Sequence, residues 1–95
     1  MAFFVLQYRF PEASGERLAV RPRHRAHLEG LKARGKLIAA GPWTDDSGAL
    51  LIYDVADEAE LERLLKDDPY VVEGVFGERK VREWRPIIGG AVEVL

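Results

Sequence analysis

Cysteine is absent from the 95-residue chain, and that absence excludes several kinds of chemistry. Without thiols the protein can form no disulfide, no thiolate metal site and no iron–sulfur cluster, and it has no cysteine nucleophile. A chain without cysteine suits a reducing compartment, so we expect a cytoplasmic location. The sequence also has no apolar run of about 18 residues, the length that indicates a membrane span, and we expect no membrane partner.

Excess positive charge is also lacking. The formal net charge is −2, whereas general nucleic-acid binding depends on a basic surface, so we expect no nucleic-acid partner. The sequence contains no glycine-rich phosphate loop and no metal-ligand triad, and its two serines, Ser14 and Ser47, fall in predicted loops. What remains is an ordinary globular composition, with 47% apolar and 32% charged residues.

The apolar pattern predicts four strands and two helices in the order βαββαβ. The predicted strands cover residues 2–10, 36–40, 49–55 and 78–85. Pro22 suits the first turn of a helix, so the first helix is predicted to begin there after a loop at 11–15. The second helix is predicted from the N-cap Asp57 to about Lys66, with Glu60 placed for a capping box.

This order predicts an α+β fold of the ferredoxin-like βαββαβ type, a sandwich of helices on one face of an antiparallel sheet. The chain is long enough for a single domain, residues 1–95, in which residues 87–95 form an apolar C-terminal tail. The predicted strands are apolar on both faces, yet the helices cover only one. Because a large apolar face does not stay exposed to water, we expect a homodimer that packs sheet against sheet. Assembly beyond the dimer stays open.

Two histidines of the first helix lie on or beside its apolar stripe. At about 100° per residue, His24 falls in the middle of the stripe with Leu28, and His27 falls at its edge. The second helix directs a carboxylate toward the same core, since Asp68 follows Leu61 by seven residues. A carboxylate bound to one ring nitrogen leaves the other nitrogen free. The pattern therefore predicts a His24–Asp68 dyad for general acid–base chemistry; the alternative is a buried core histidine and an exposed aspartate.

Three segments with specific spacings resemble the YciI-like (YCII-related) domain family over residues 3–86. They are Arg21-Pro22-Arg23-His24, then Gly35-Lys36-Leu37 followed by Gly41-Pro42, and Asp68-Pro69-Tyr70 followed by Gly74. The resemblance implies a ferredoxin-like fold paired into a dimeric α+β barrel. It also implies an active site built from a histidine and an aspartate, which here are His24 and Asp68. His27 matches no family motif, so we interpret it as a polar residue at the edge of the stripe.

The resemblance also suggests a reaction class. Some family members resemble muconolactone isomerases in fold, and some act as chloromuconolactone dehalogenases. That chemistry removes a proton next to a lactone carbonyl and needs neither a metal nor an organic cofactor. We therefore expect a cofactor-independent enzyme that acts on a small organic acid or lactone. The alternatives are a non-catalytic module that binds a small molecule, and a structural dimer in which the His24–Asp68 pair only links two helices.

Six further residues are candidates for binding the substrate. Arg21 could bind a carboxylate through two parallel N–H donors of its guanidinium group, or it could form surface ion pairs. The remaining candidates are aromatic or lie at a strand end where the backbone can approach a ligand: Tyr8, Gly41, Pro42, Trp43 and Tyr70. Core packing is the alternative for Tyr8, and an aromatic dimer contact is the alternative for Trp43.

Overall fold

Four antiparallel strands and three helices form the part of the chain that a computed structural model describes, residues 2–11 and 15–89. In chain order they are β1 (Ala2–Arg9), α1 (Gly15–Ala33), β2 (Leu37–Pro42), β3 (Gly48–Val55), α2 (Glu58–Lys66), α3 (Pro69–Glu73) and β4 (Arg79–Trp84). The strands are arranged β2-β3-β1-β4. This order confirms the ferredoxin-like α+β fold. None of the described helices is long and apolar enough to cross a membrane.

The core lies between the helices and one face of the sheet. Alternate residues of β1 point into it, and the pairing of Leu6 with Leu51 and of Phe4 with Tyr53 continues the same face onto β3. Both leucines are at most 1% exposed. The helices complete this core with apolar side chains, namely Leu28 and Leu31 of α1 and Leu61 and Leu65 of α2.

Helix α1 begins seven residues earlier than the sequence predicts, so the expectation of a start at Pro22 is wrong. A proline inside a helix removes the hydrogen bond to the carbonyl four residues before it, here that of Leu18. Pro22 and Leu18 both lie on the exposed side of the helix, where water can solvate that carbonyl. The buried stripe already starts at Val20, and its packing outweighs the local preference. Residues 12–14 of the predicted loop lie outside the described residues.

Strand β2 extends beyond its predicted end at residue 40 and includes Gly41 and Pro42. Proline is tolerated there because β2 is an edge strand. On the sheet face away from the helices, the side chains of Val5, Leu50 and Ile52 are only half-buried. Of the predicted apolar tail, residues 87–89 are described, and Ile87 and Ile88 are exposed; residues 90–95 lie outside the described residues.

Candidate active site

His24 occupies the middle of the buried stripe of α1. The buried residues of this helix, Val20, His24, Leu28 and Leu31, follow one another at intervals of three or four, which is the repeat of one helix face. His24 is only 7% exposed. The helical pattern therefore places an imidazole where an apolar side chain would otherwise pack, as the sequence predicts.

Asp68 is completely buried, but it belongs to a different element from the one that the sequence indicates. Helix α2 ends at Lys66, and Asp68 is the N-cap of α3 with extended backbone angles. The following Pro69 explains this, because the residue before a proline avoids the helical region and proline is favoured in the first turn of a helix. The carboxylate accepts a hydrogen bond from the backbone N–H of Tyr70 at 2.9 Å.

The two side chains form a hydrogen bond between the Nδ1 of His24 and the Oδ1 of Asp68, with a length of 2.7 Å. A carboxylate can only accept, so Nδ1 carries the proton and Nε2 keeps its lone pair while the ring is neutral. Within the part of the chain that the structure describes, Nε2 has no hydrogen-bond partner. The arrangement is that of a base whose orientation is fixed by a carboxylate.

Tyr70 contacts one face of the His24 imidazole, whereas Asp68 contacts its edge. Its ring stacks on that of His24, with centroids 3.7 Å apart and planes inclined by 3°. Tyr70 is 2% exposed and packs with Val20 and Val75, so its own position is well defined. The carboxylate of Asp68 meets the edge of the imidazole and the phenol ring covers one face, which together restrict rotation of the His24 ring.

A cleft with a volume of about 400 Å³ opens beside His24 between α1 and strand β2. Ala49 and Leu51 of β3 also line it. Five of the predicted site residues line this cleft: Arg21, His24, Gly41, Pro42 and Tyr70. A Cβ added at Gly41 would meet no atom within 4 Å, so that part of the wall is open.

Tyr8 and Trp43 are not among the residues that line the cleft. Tyr8 is 2% exposed and packs against Phe76, with ring centroids 4.6 Å apart. Burial raises the pKa of the Tyr8 hydroxyl, and the negative charge of Asp68 raises it further. Tyr8 therefore stays protonated at neutral pH and lies in the core. Trp43 is 41% exposed at the start of the β2–β3 turn and lies against Gly48.

A second core phenol shares this environment. Burial raises the pKa of Tyr53, followed by smaller effects of Tyr8 and of Asp68. The Oδ2 of Asp68 and the hydroxyls of Tyr8 and Tyr53 are buried and have no hydrogen-bond partner among the described residues. Two neutral phenols and one carboxylate oxygen thus lie on the core side of the dyad, away from the cleft.

The cleft is also lined by charged residues that sequence analysis missed, namely Arg17, Arg25, Glu29, Lys32 and Asp46. Arg17 was missed because the helix was predicted to begin at Pro22. The spacing of Arg17, Arg21 and Arg25, each four residues from the next, is the signal that could have placed them on one face of a longer helix. Among residues 2–11 and 15–89, no group of three or more metal-ligating side chains could hold a metal ion.

Fold and site together define a ferredoxin-like α+β protein with a buried histidine–aspartate pair beside a cleft. The family model described as "YCII-related domain" matches residues 1–85, and the chain belongs to this family. Protein YciI of Escherichia coli and of Shigella flexneri is 34% identical in an alignment of 82 positions that covers 76% of this chain and 84% of the relative. An uncharacterized protein of Haemophilus influenzae is 28% identical in an alignment of 97 positions that covers 92% of this chain and 99% of the relative.

Solved structures with the same fold include an enzyme. The chain is similar to the 5-chloro-2-hydroxyhydroquinone dehydrochlorinase TftG of Burkholderia phenoliruptrix AC1100, in complex with 2,5-dihydroxybenzoquinone, with a TM-score of 0.74 and 29% identity; the match covers 90% of this chain and 94% of TftG. An antibiotic biosynthesis monooxygenase matches with a TM-score of 0.61 and 15% identity, over 93% of this chain and all of the other. At that identity the second match supports the fold alone.

Proposed function

We propose that this protein is an enzyme that moves a proton to or from a carbon atom of a small organic acid or lactone without a cofactor. His24 is the general base and acid, and Asp68 is the residue that positions it. The observation that carries the proposal is the 2.7 Å hydrogen bond from Nδ1 of His24 to buried Asp68, made by a histidine that lines a cleft. Arg21, Gly41, Pro42 and Tyr70 are the residues of the chain that contact the substrate.

In the proposed reaction, Nε2 of His24 takes a proton from the carbon next to a carbonyl group. The electron pair of the broken C–H bond then forms a double bond. If the neighbouring carbon carries a halide, the halide leaves with its own bonding pair, and the products are an alkene, a halide ion and a protonated imidazole. If no halide is present, the imidazole returns the proton to another carbon, and the substrate is isomerised.

The protein stabilises the charge that His24 gains in this step. Asp68 is anionic and meets the ring at Nδ1, and the face of Tyr70 is parallel to the imidazole. A carboxylate and an aromatic face both attract positive charge, and both lie beside the ring on which that charge develops. Their positions are set by packing before the reaction begins, so little reorganisation is needed when the proton is transferred.

The likeness to TftG supports elimination of a halide as the first reaction to test, because TftG is a dehydrochlorinase. The family resemblance supports isomerisation of a lactone as the second. Tyr8 and Trp43 are left out of the proposed binding site because neither lines the cleft.

The proposed assembly is a homodimer in which the open sheet faces of two copies meet. Its support is the half-buried Ile52 and Leu50 on that face, together with exposed Trp84 and Ile87. Multi-angle light scattering tests it. The wild type is expected to have the mass of two chains, and Ile52→Asp to have the mass of one, whereas Leu18→Asp on the exposed side of α1 leaves the dimer intact. A monomeric wild type contradicts the assembly.

Chloride release and deuterium incorporation test the function. The wild type is incubated in D₂O with a chloromuconolactone and with muconolactone; both reactions are followed by proton NMR, and that of the chlorinated lactone also by a chloride electrode. His24→Gln is expected to lower the rate by about 10²- to 10⁴-fold, the usual contribution of a general base. His27→Gln is the matched control, because His27 is on the same helix but does not line the cleft. Equal rates for His24→Gln and the wild type would overturn the proposal.

A further inference from the structure

One wall of the cleft carries a row of positive charges at regular intervals. Arg17, Arg21 and Arg25 are successive residues at a spacing of four on α1, and all three line the cleft, as does Lys32. Residues four apart on a helix are neighbours, with Cβ atoms about 5–6 Å apart, and like charges at that spacing destabilise the helix. The row therefore destabilises helix α1, and it lies on the side of the helix that faces the cleft.

Among the described residues, no carboxylate lies within 4.0 Å of the charged atoms of Arg21, Arg25 or Lys32. Arg23 on the same helix differs, because its guanidinium is 3.8 Å from the carboxylate of Glu73. Arg17 lies over the ring of Phe10, with its guanidinium carbon 4.2 Å from the ring centroid.

The sign of the charge in the cleft is opposite to that of the whole protein. The chain has a formal net charge of −2, whereas the described residues that line the cleft include four cationic side chains and two acidic ones, Glu29 and Asp46. A concave site lined by one sign of charge concentrates ligands of the other sign. Arg21 precedes His24 by three residues and is its neighbour on the helix surface. An anion bound at Arg21 is therefore held within one helical turn of the proposed base.

We propose that the cleft selects a carboxylate ligand, which Arg21 and Arg25 bind, and that it discriminates against neutral molecules of the same shape. The planar guanidinium group is suited to this because it donates two parallel hydrogen bonds to a carboxylate. The inference rests on the proposed function only for the role of His24. It narrows the substrate from an organic acid or lactone to a molecule that carries a carboxylate, including a lactone with a free acid group.

A binding experiment with matched probes tests the inference. Benzoate and benzamide have the same ring and similar size, but only benzoate is charged. In an NMR titration of the full-length protein at low salt, benzoate is expected to bind at least about tenfold more tightly than benzamide, and to shift the backbone amide signal of Gly41. The affinity for benzoate falls as sodium chloride is added, because salt screens the charges.

Two variants and one control locate the site. Arg21→Gln and Arg25→Gln are each expected to weaken benzoate binding about tenfold, which is the usual size of one charge-assisted hydrogen bond. Arg23→Gln is the control, because Arg23 does not line the cleft. Without benzoate, Arg25→Gln is expected to melt at the same or a higher temperature than the wild type, since one like-charge contact is removed; this shows that the variant is folded.

The outcomes separate this inference from the proposed function. Equal binding of benzoate and benzamide, or unchanged benzoate affinity in both arginine variants, would overturn the carboxylate site. If the carboxylate site exists, His24→Gln still binds benzoate although its turnover is lost. If the wild type turns over no substrate but binds benzoate through Arg21 and Arg25, then the proposed function fails and the carboxylate site stands.

Discussion

Helices α1 and α2 pack on the same face of the sheet but differ in how closely they follow the local rules of helix formation. Helix α2 has an N-cap, since the carboxylate of Asp57 accepts a hydrogen bond from the N–H of Glu60 at 2.9 Å. It carries acidic residues in its first turn and basic residues in its last turn, which suits the helix dipole. Its buried residues, Leu61 and Leu65, are all apolar.

Helix α1 departs from the same rules in three places. It contains a proline in its interior, an imidazole in its buried stripe and a row of like charges along one side. Each departure has a cost for the helix, and two of the three, His24 and the row of arginines, face the cleft. Proteins depart from locally consistent sequence chiefly at functional sites. Helix α2 therefore contributes packing alone, whereas α1 combines packing with the residues of the proposed site, and the following predictions test this difference.

The largest expected effect concerns the partner of His24. Asp68→Asn replaces an acceptor-only carboxylate with an amide, which can also donate to Nδ1 and so favour the other tautomer of the ring. Turnover is expected to fall by about 10²- to 10⁴-fold, because the base then carries its proton on the wrong nitrogen. The ¹⁵N shifts of the imidazole report the tautomer independently of activity. Unchanged ¹⁵N shifts would show that Asp68 does not set the tautomer.

The second prediction concerns the core of α2. Leu61→Ala is expected to lower the free energy of unfolding by about 2–5 kcal/mol, because it leaves a cavity in a site that is 0% exposed. Leu18→Ala on α1 is the matched control, since Leu18 is 49% exposed, and its expected effect is within about 0.5 kcal/mol. Urea denaturation measures both. A comparable loss in the two variants would contradict the assignment of Leu61 to the core.

The third prediction concerns the aromatic ring that covers His24. Tyr70→Leu removes the stacked ring and is expected to lower kcat by up to about tenfold, from an aromatic contact of about 0.5–1.5 kcal/mol. Tyr70→Phe retains the ring and the backbone N–H that binds Asp68, so it should restore kcat. If Tyr70→Phe loses as much kcat as Tyr70→Leu, the hydroxyl and not the stacked ring is the important group.

The smallest expected effect concerns Glu60 of α2, whose carboxyl group makes the stability of the protein depend on pH. A hydrogen bond from the N–H of Ala56 lowers the pKa of Glu60 from its ordinary value near 4.5, and Lys36 lowers it further. A carboxyl group with a lower pKa in the folded state stabilises the protein above the unfolded pKa, and this contribution is lost as the pH falls through the folded pKa. In Glu60→Gln the melting temperature should therefore fall less between neutral and acidic pH than it does in the wild type. Thermal melts at several pH values measure it, and an unchanged slope would contradict the assignment.

Much of the fold follows from local patterns. The alternation along β1 predicts that Phe4, Leu6 and Tyr8 share one face, and the structure shows all three buried. The Asp57 cap and the leucines of α2 predict that helix almost to the residue. The order of elements then limits the topology to a few arrangements, and the observed strand order is one of them. The start of α1 was not predictable in this way, because Pro22 is a local signal and the burial of Val20 depends on distant residues.

The sequence predicts that the side chains of His24 and Asp68 point into the core, but it does not predict which element positions Asp68. The helical period alone indicates that His24 points inward. Asp68 also points inward, but it does so as the N-cap of α3 and not as an extension of α2. The early start of α1 is the reason that Arg17 was missed, and with it the regular row of arginines.

The sequence by itself determined the order of the elements, which side chains of β1 share a face and the inward direction of His24, because these depend on periodicities within short segments. Only the tertiary structure decided which atoms meet. The Nδ1 of His24 reaches Asp68 across 44 residues of chain, Tyr70 stacks on the same ring, and Gly41 of β2 faces the arginines of α1 across one cleft. The physical reason is that these contacts follow from the packing of helices on a sheet, and the free energy of packing belongs to the whole core and to no single segment.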